Sequence, residues 1–337
     1  MKTQLLLGLL CLHLTLSAAT VKDSILALVP GSDEVFRYGY NELSPADQAK
    51  YEAILTAILQ FDANKAGGID HRVDIPWSSD MNALTAMLRR MQTDVPQLWV
   101  LFNYIPRYNY DTYTYQARIS TVNTPESFLH DLLTIDTVFR KITAPITPDM
   151  SAYHKVKVLH DGFIAEVSYG NPSGANAGNI KGALIEKRAV CEGFSRAFLY
   201  LCQGVGIRCV YVSGSNSNTN GRHAWNHVEV DGKWYVVDLT ADGAFAGHCG
   251  YDGFLRGQTY FDEHYTIATD DVPYNNLPTL SATDCPESTQ QPTSVETCSE
   301  VPMIDVTRPM FNVVGQRVGA NYRGIVIQNG RKYVLNR

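Results

Sequence analysis

Residues 189–242 read AVCEGFSRAFLYLCQGVGIRCVYVSGSNSNTNGRHAWNHVEVDGKWYVVDLTAD, and this stretch decides the fold. Phe194, Phe198, Leu201 and Cys202 recur at helical spacing, which predicts an apolar helix over 190–203 closed by Gly204, with Cys191 at its beginning. GIRCVYVS (206–213) is a β run, and the polar segment that follows to Arg222 reads as an exposed loop. Strands over 223–230 and 233–240 then flank Asp231-Gly232, a strong signal for a tight hairpin.

The register of that hairpin has a chemical consequence. If the turn closes with Val230 opposite Lys233, Trp225 faces Asp238 and His223 faces Thr240, so His223 and Asp238 are diagonal neighbours on one sheet face. A longer turn with a glycine bulge sets Asp238 opposite Ala224 instead and turns it to the wrong face. His227 lies on the same strand face and competes with His223. His223 is preferred because it stands nearer the loop end, where substrate enters.

Unpaired N–H groups and the positive dipole end at a helix start favour an anion, so Cys191 is placed to react as a thiolate. With an imidazole and a carboxylate beside it, the set suits acyl transfer. The thiolate attacks an amide carbonyl, the imidazole delivers a proton to the leaving amine, and the carboxylate fixes the tautomer and steadies the cation. The backbone N–H of Cys191 is a natural oxyanion donor, and Asn179, in the loop GNPSGANAGNIK (170–181), is a second candidate; a plain connecting loop explains Asn179 equally well. Gly193 leaves room for a substrate or another backbone. Trp225 and Tyr169 are candidates for the substrate groove. Cys202 and Cys209 read as small buried hydrophobes or a local disulfide.

The blocks VCEGFSRAF (190–198) and HAWNHVEVDGKWYVVDLTAD (223–242), in that order, resemble the transglutaminase-like superfamily of papain-type cysteine enzymes over roughly residues 150–270. The resemblance implies Cys191 as nucleophile, His223 as base and Asp238 as orienting acid. It also implies an α+β fold whose papain-like core packs the cysteine helix on an antiparallel sheet. Members of this family crosslink glutamine to amines or hydrolyse amides, and some are inactive. Hydrolysis is placed slightly ahead of crosslinking because nothing visible reserves the site for an amine; a non-catalytic surface-binding module is the reading from another class. YNELSPADQAKYEAI (40–54), DVPQLWV (94–100) and LHDGFIAEVSY (159–169) resemble, more loosely, the N-terminal portion of secreted bacterial members. No stretch resembles a calcium-binding EF-hand loop.

Around this core the chain divides into a signal peptide (1–19), an α+β N-terminal region (20–149), the catalytic core (150–280), a polar linker (281–300) and a small β module (301–337). Lys2, an apolar run from Leu5 to Leu16, and Ser17-Ala18-Ala19 have the layout of a secretory signal cleaved near Ala19; Leu10 before Cys11 argues against a lipoprotein. Ser44 and Pro45 open a helix carrying Tyr51, Ile54, Leu55, Ile58 and Leu59, and a second helix runs from about Asp80 to Met91 with a core-facing methionine stripe. Runs around 98–105 and 112–119 predict a tyrosine-rich hairpin whose rings either line a groove or, more ordinarily, cover a core. Thr124-Pro125-Glu126 opens another helix running to about Thr143, and a further helix spans Ser151 to Ser168. The second contains His160-Asp161, a pair more often met in packing than in catalysis.

His248 and Cys249 are adjacent and too few for a tetrahedral metal site. The tail has a hairpin signal at Asn329-Gly330, and it resembles the C-terminal sorting domain of the type IX secretion route of Bacteroidetes. That resemblance implies passage across the outer membrane, to the outside of the cell or its surface, with removal of the tail as an option.

The 337 residues are 45% hydrophobic and 18% charged, enough for one large domain or two moderate ones. The net charge of −6 gives no footprint for nucleic acid, and no stretch beyond the leader approaches the length of a membrane span. Of the seven cysteines, Cys11 falls in the leader; Cys285 and Cys298, flanking the linker, are the easiest to pair. No cofactor is implied, and the expected partner is a protein or peptide substrate.

Overall fold

In the computed structural model the described residues are 18–59, 70–74, 81–111, 113–120, 124–171, 176–217, 221–243, 250–268, 273–288, 310–312, 317–318, 324–328 and 331–335. The expected leader, apart from Ala18 and Ala19, lies outside them, as do His248, Cys249 and Cys298. The chain forms two compact units, Met1–Ser294 and Val295–Arg337. The N-terminal region and the core are thus parts of one unit rather than separate bodies.

That unit begins with α1 (Ala18–Leu28), α2 (Tyr38–Asn41) and α3 (Pro45–Leu59). Ser44 Oγ accepts from the Asp47 N–H, so the expected cap forms. Strand β1 (Asp70–Asp74) and helix α4 (Met81–Asp94) follow, and Leu84, Met87, Leu88 and Met91 are buried, as a core stripe requires. The expected strand over 98–105 is corrected: residues Pro96–Asn103 form a 3₁₀ segment after Pro96, and the hairpin starts later, as β2 (Tyr104–Asn109) and β3 (Thr114–Ser120). Leu98 and Trp99 are buried and the Trp99 ring packs on Phe128, so tertiary packing outweighs the β propensity of this run.

Helix α5 (Pro125–Thr143) is capped by Thr124, and α6 (Ala152–Glu166) by Ser151. The short strands β4 (Ser168–Tyr169) and β5 (Arg188–Ala189) pair in parallel, enclosing a loop that contains α7 (Ile180–Leu184). Helix α8 (Cys191–Gly204) starts directly after β5 and is buried almost throughout. It packs on β6 (Cys209–Asn216) and β7 (Gly221–Val230).

Next come β8 (Lys233–Val237), α9 (Leu239–Gly243), β9 (Phe254–Arg256), α10 (Gln258–His264) and β10 (Tyr265–Ile267). The central sheet has the order β10-β6-β7-β8-β9, with every neighbouring pair antiparallel. Odd-numbered residues of β7 turn to the face on which Trp225 meets Phe261 of α10 and the Tyr265 ring of the edge strand β10. On the opposite face, Asn226 Nδ2 donates to the Ser195 carbonyl of α8 at 3.0 Å.

The expected linker begins later than its composition suggests. Ser281 N–H donates to the Trp234 carbonyl and Cys285 N–H to the Leu255 carbonyl, so residues 281–288 lie on the first unit. Cys285 is a buried free thiol on Glu287, not half of a disulfide. Cys202 and Cys209 are likewise buried and free, which settles them as core thiols. The second unit carries a sheet of β11 (Met310–Asn312), β12 (Arg317–Val318), β13 (Gly324–Gln328) and β14 (Arg331–Leu335), with Gln328 opposite Arg331 as the tight hairpin demands.

At Gly193, a Cβ would stand 2.5 Å from the Ala177 carbonyl oxygen and 2.7 Å from Ala189 Cβ. The space read from the sequence is therefore filled by the loop backbone. Gly193→Ala gains up to about 1 kcal/mol of helix propensity but forces that backbone apart, at about 1–3 kcal/mol. A net loss of stability in urea unfolding is the expected result.

Candidate active site

The hairpin closes as the tight register requires, with Val230 opposite Lys233 and Asn226 opposite Val237. Asp231 and Gly232 hold φ of 50° and 78°, both positive, as a type I′ turn needs. Strand β8 ends at Val237, and Asp238 follows immediately, beside the strand that carries His223. His223 Nε2 lies 2.7 Å from Asp238 Oδ2. This leaves the other ring nitrogen for the Cys191 side chain, with which the imidazole also forms a hydrogen bond. The three expected residues meet.

Asp238 is buried and held from several sides. Oδ2 also accepts from the Tyr265 hydroxyl at 2.8 Å, while Oδ1 accepts from the N–H groups of Thr240 at 3.0 Å and Ala241 at 3.2 Å, capping α9. Burial disfavours an imidazolium at His223, but the hydrogen bonds and charges of Asp238 and Cys191 outweigh it and raise the ring from 6.5 to about 10. Tyr265 is pushed well up by burial and by the Asp238 charge, so it stays a phenol and donates. Sequence reasoning missed Tyr265. It reaches Asp238 only because β10 pairs with β6, and a short tyrosine-containing run carries no sign of that partner.

His227 is no alternative base. It is 2% exposed, neither ring nitrogen has a hydrogen-bond partner among the described residues, and burial lowers it to about 3. Trp225 is corrected from groove to core: it is 0% exposed and lies between Phe261 and Tyr265. Asn179 is corrected too. Its Oδ1 accepts from the N–H groups of Lys181 and Gly182, and its Nδ2 donates to Asn176, so the side chain caps α7 within the loop.

Tyr169, expected in the groove, stands beside Cys191 but is not among the residues that line the groove. It is 38% exposed, its ring meets Phe194, and its hydroxyl lies against the backbone N–H of Cys191; burial and the neighbouring Cys191 raise it. His160 is a brace. Buried on α6, it bridges Asp161 through Nδ1 at 2.9 Å and Asp242 through Nε2 at 3.0 Å. Asp242 closes the helical turn that Asp238 opens, so this bridge fixes the far end of the segment holding the carboxylate.

A groove of about 220 Å³ opens at Cys191 and His223, with α4 supplying Arg89, Gln92 and Thr93. Among the described residues no cluster of His, Cys, Asp or Glu is arranged to hold a metal ion. A thiol, an imidazole and a carboxylate in sequence at the mouth of a groove can carry out nucleophilic substitution at a carbonyl.

Residues 137–239 match the family model of the Transglutaminase-like superfamily. This transglutaminase-like segment contains Cys191, His223 and Asp238. The mouse (Mus musculus) Kyphoscoliosis peptidase is 28% identical over 92 residues, and the human (Homo sapiens) protein 27% over 92 residues. Each alignment covers 24% of this chain and 14% of the relative, so the match spans a small part of those proteins' length. A solved structure described as "Crystal structure of a TGase" aligns with a TM-score of 0.31 at 16% identity, covering 53% of each chain.

The raised His223 ring has a definite pH signature. Its contribution to stability is fully present below 6.5 and is lost as pH rises through about 10. In Asp238→Asn the amide keeps an acceptor for the α9 cap but loses the charge. The stability gap between wild type and variant, measured by urea unfolding, is expected to shrink as pH rises from 6.5 to 10, and the His223 nitrogen resonances to titrate lower in the variant.

Proposed function

We propose that this chain is an exported cysteine enzyme acting on amide bonds of proteins or peptides through a thioester, with water as the acceptor. The observation that carries the reading is the relay from the Cys191 sulfur to His223 and on to Asp238 at 2.7 Å. The Cys191 thiolate attacks the carbonyl carbon, and charge collects on the carbonyl oxygen. The Cys191 backbone N–H, where the Tyr169 hydroxyl now lies, is available to that oxygen once substrate displaces the phenol. As the C–N bond breaks, the His223 imidazolium gives its proton to the leaving amine and a thioester remains. His223 then takes a proton from water, the hydroxide adds to the thioester, and collapse releases a carboxylic acid and restores the thiolate.

Crosslinking shares the first half of this sequence and replaces water with an amine; the superfamily match favours keeping it as the second reading. The groove that opens at Cys191 supports hydrolysis, since it offers water a path to the thioester. Export rests on the leader-like layout of residues 1–19, and delivery beyond the outer membrane on the sequence of the tail. Among the described residues no helix is long and apolar enough to cross a membrane.

Mass spectrometry of a protein substrate incubated with wild type and with Cys191→Ser distinguishes these outcomes. Cleaved or deamidated products are expected with wild type and lost by at least about 10³-fold in the variant. Amine incorporation without hydrolysis transfers the assignment to crosslinking. Alkylation of Cys191 no faster than free cysteine, with no slowing in His223→Ala, removes both.

A further inference from the structure

The Asp238 oxygen that holds His223 is shared with a phenol. His223 Nε2 and the Tyr265 hydroxyl meet Oδ2 at 2.7 Å and 2.8 Å, while the two α9 N–H groups occupy Oδ1. We propose that Tyr265 is a positioning residue that sets how tightly Asp238 holds the His223 imidazolium, and through it how readily that cation gives its proton to a leaving amine; this rests on the reading of Cys191 as the nucleophile. Tyr265 lies beyond the matched residues 137–239 and joins the site only through the pairing of β10 with β6.

The phenol is anchored independently of the carboxylate. Tyr265 pairs with Asn216 of β6, and its N–H donates to the Phe261 carbonyl of α10. Its ring packs on Trp225 at 4.6 Å and lies nearly parallel to the rings of Phe261 and His223. The hydroxyl is therefore a fixed donor aimed at Oδ2. A carboxylate oxygen divides its negative charge among the donors it accepts, so each added hydrogen bond makes it a weaker base. Without the phenol, the imidazole is left as the side-chain donor on Oδ2 and is held more strongly. The other titratable and charged groups around the pair are Cys191 of α8, Tyr169 of β4, Arg222 of β7, Asp242 of α9, Tyr260 of α10 and Arg256 of β9. Tyr260 hydrogen-bonds to Tyr265, and Arg256 lies over its ring. All of them stay in place when the Tyr265 hydroxyl alone is altered.

The test needs no knowledge of the natural substrate. Tyr265→Phe keeps the ring and removes the donor, whereas a fluorotyrosine at the same position is a more acidic phenol and a stronger donor. In nuclear magnetic resonance at neutral pH, the proton between His223 Nε2 and Asp238 is expected furthest downfield in Tyr265→Phe, intermediate in wild type and least downfield with fluorotyrosine. The His223 nitrogen resonances are expected to titrate about half to one pH unit higher in Tyr265→Phe than in wild type. A merely structural contact gives the opposite sign, since its loss loosens Asp238 and moves the titration lower, as in Asp238→Asn. No change across the series, or a lower titration in Tyr265→Phe, overturns the role of Tyr265; Cys191 reacting with iodoacetamide faster than glutathione does then leaves the nucleophile reading standing. Reaction no faster than that of glutathione overturns the nucleophile reading itself, and this proposal with it.

Discussion

The arrangement depends on the carboxylate of Asp238 remaining where four donors converge. His223, Tyr265 and two backbone N–H groups of α9 come from three different segments, and all four hydrogen bonds end on the same two oxygens. A buried anion without such partners is expensive, so the fold supplies them in full. One result is orientational: with Nε2 committed to Asp238, the imidazole has a single nitrogen to turn toward sulfur. A second is mechanical. Asp238 both ends β8 and caps α9, while His160 clamps Asp242 at the other end of that turn, so displacing the carboxylate means disturbing sheet, helix and brace together.

Local signals carried much of this architecture. The helix behind Cys191, the tight turn at Asp231-Gly232 and the shared face of His223 and Asp238 all follow from spacing and turn chemistry, because these relations are set within a few residues. The cap at Ser44 was legible for the same reason. Where distant segments decide the outcome, the sequence was silent or misleading. Trp225 has the amphipathic character of a groove residue, yet α10 and β10, far along the chain, bury it. Asn179 has a donor suited to an oxyanion, yet two adjacent N–H groups of its own loop capture its oxygen first. The 3₁₀ segment after Pro96 yields its β propensity to the packing of Trp99 on Phe128.

The buried His227 illustrates how strongly position outweighs residue type. It shares a strand and a face with His223 and stands four residues away, but lacks both a carboxylate and access to water. Its ring is driven down to about 3 while that of His223 rises to about 10. Proximity in sequence says little about basicity when one ring meets an anion and the other is buried without a hydrogen-bond partner among the described residues.

Arg196 joins parts of different standing. Its guanidinium links Glu192, next to the cysteine, to the carbonyl of Gln92 at the end of α4. Cys191, His223 and Asp238 lie inside the matched segment, whereas Arg89, Gln92 and Thr93 on the facing wall lie outside it, and one buried side chain holds the two in register. The two sides of the groove are therefore coupled through one guanidinium: a replacement for the α4 wall keeps its register with the cysteine end only if it presents a carbonyl where that of Gln92 stands.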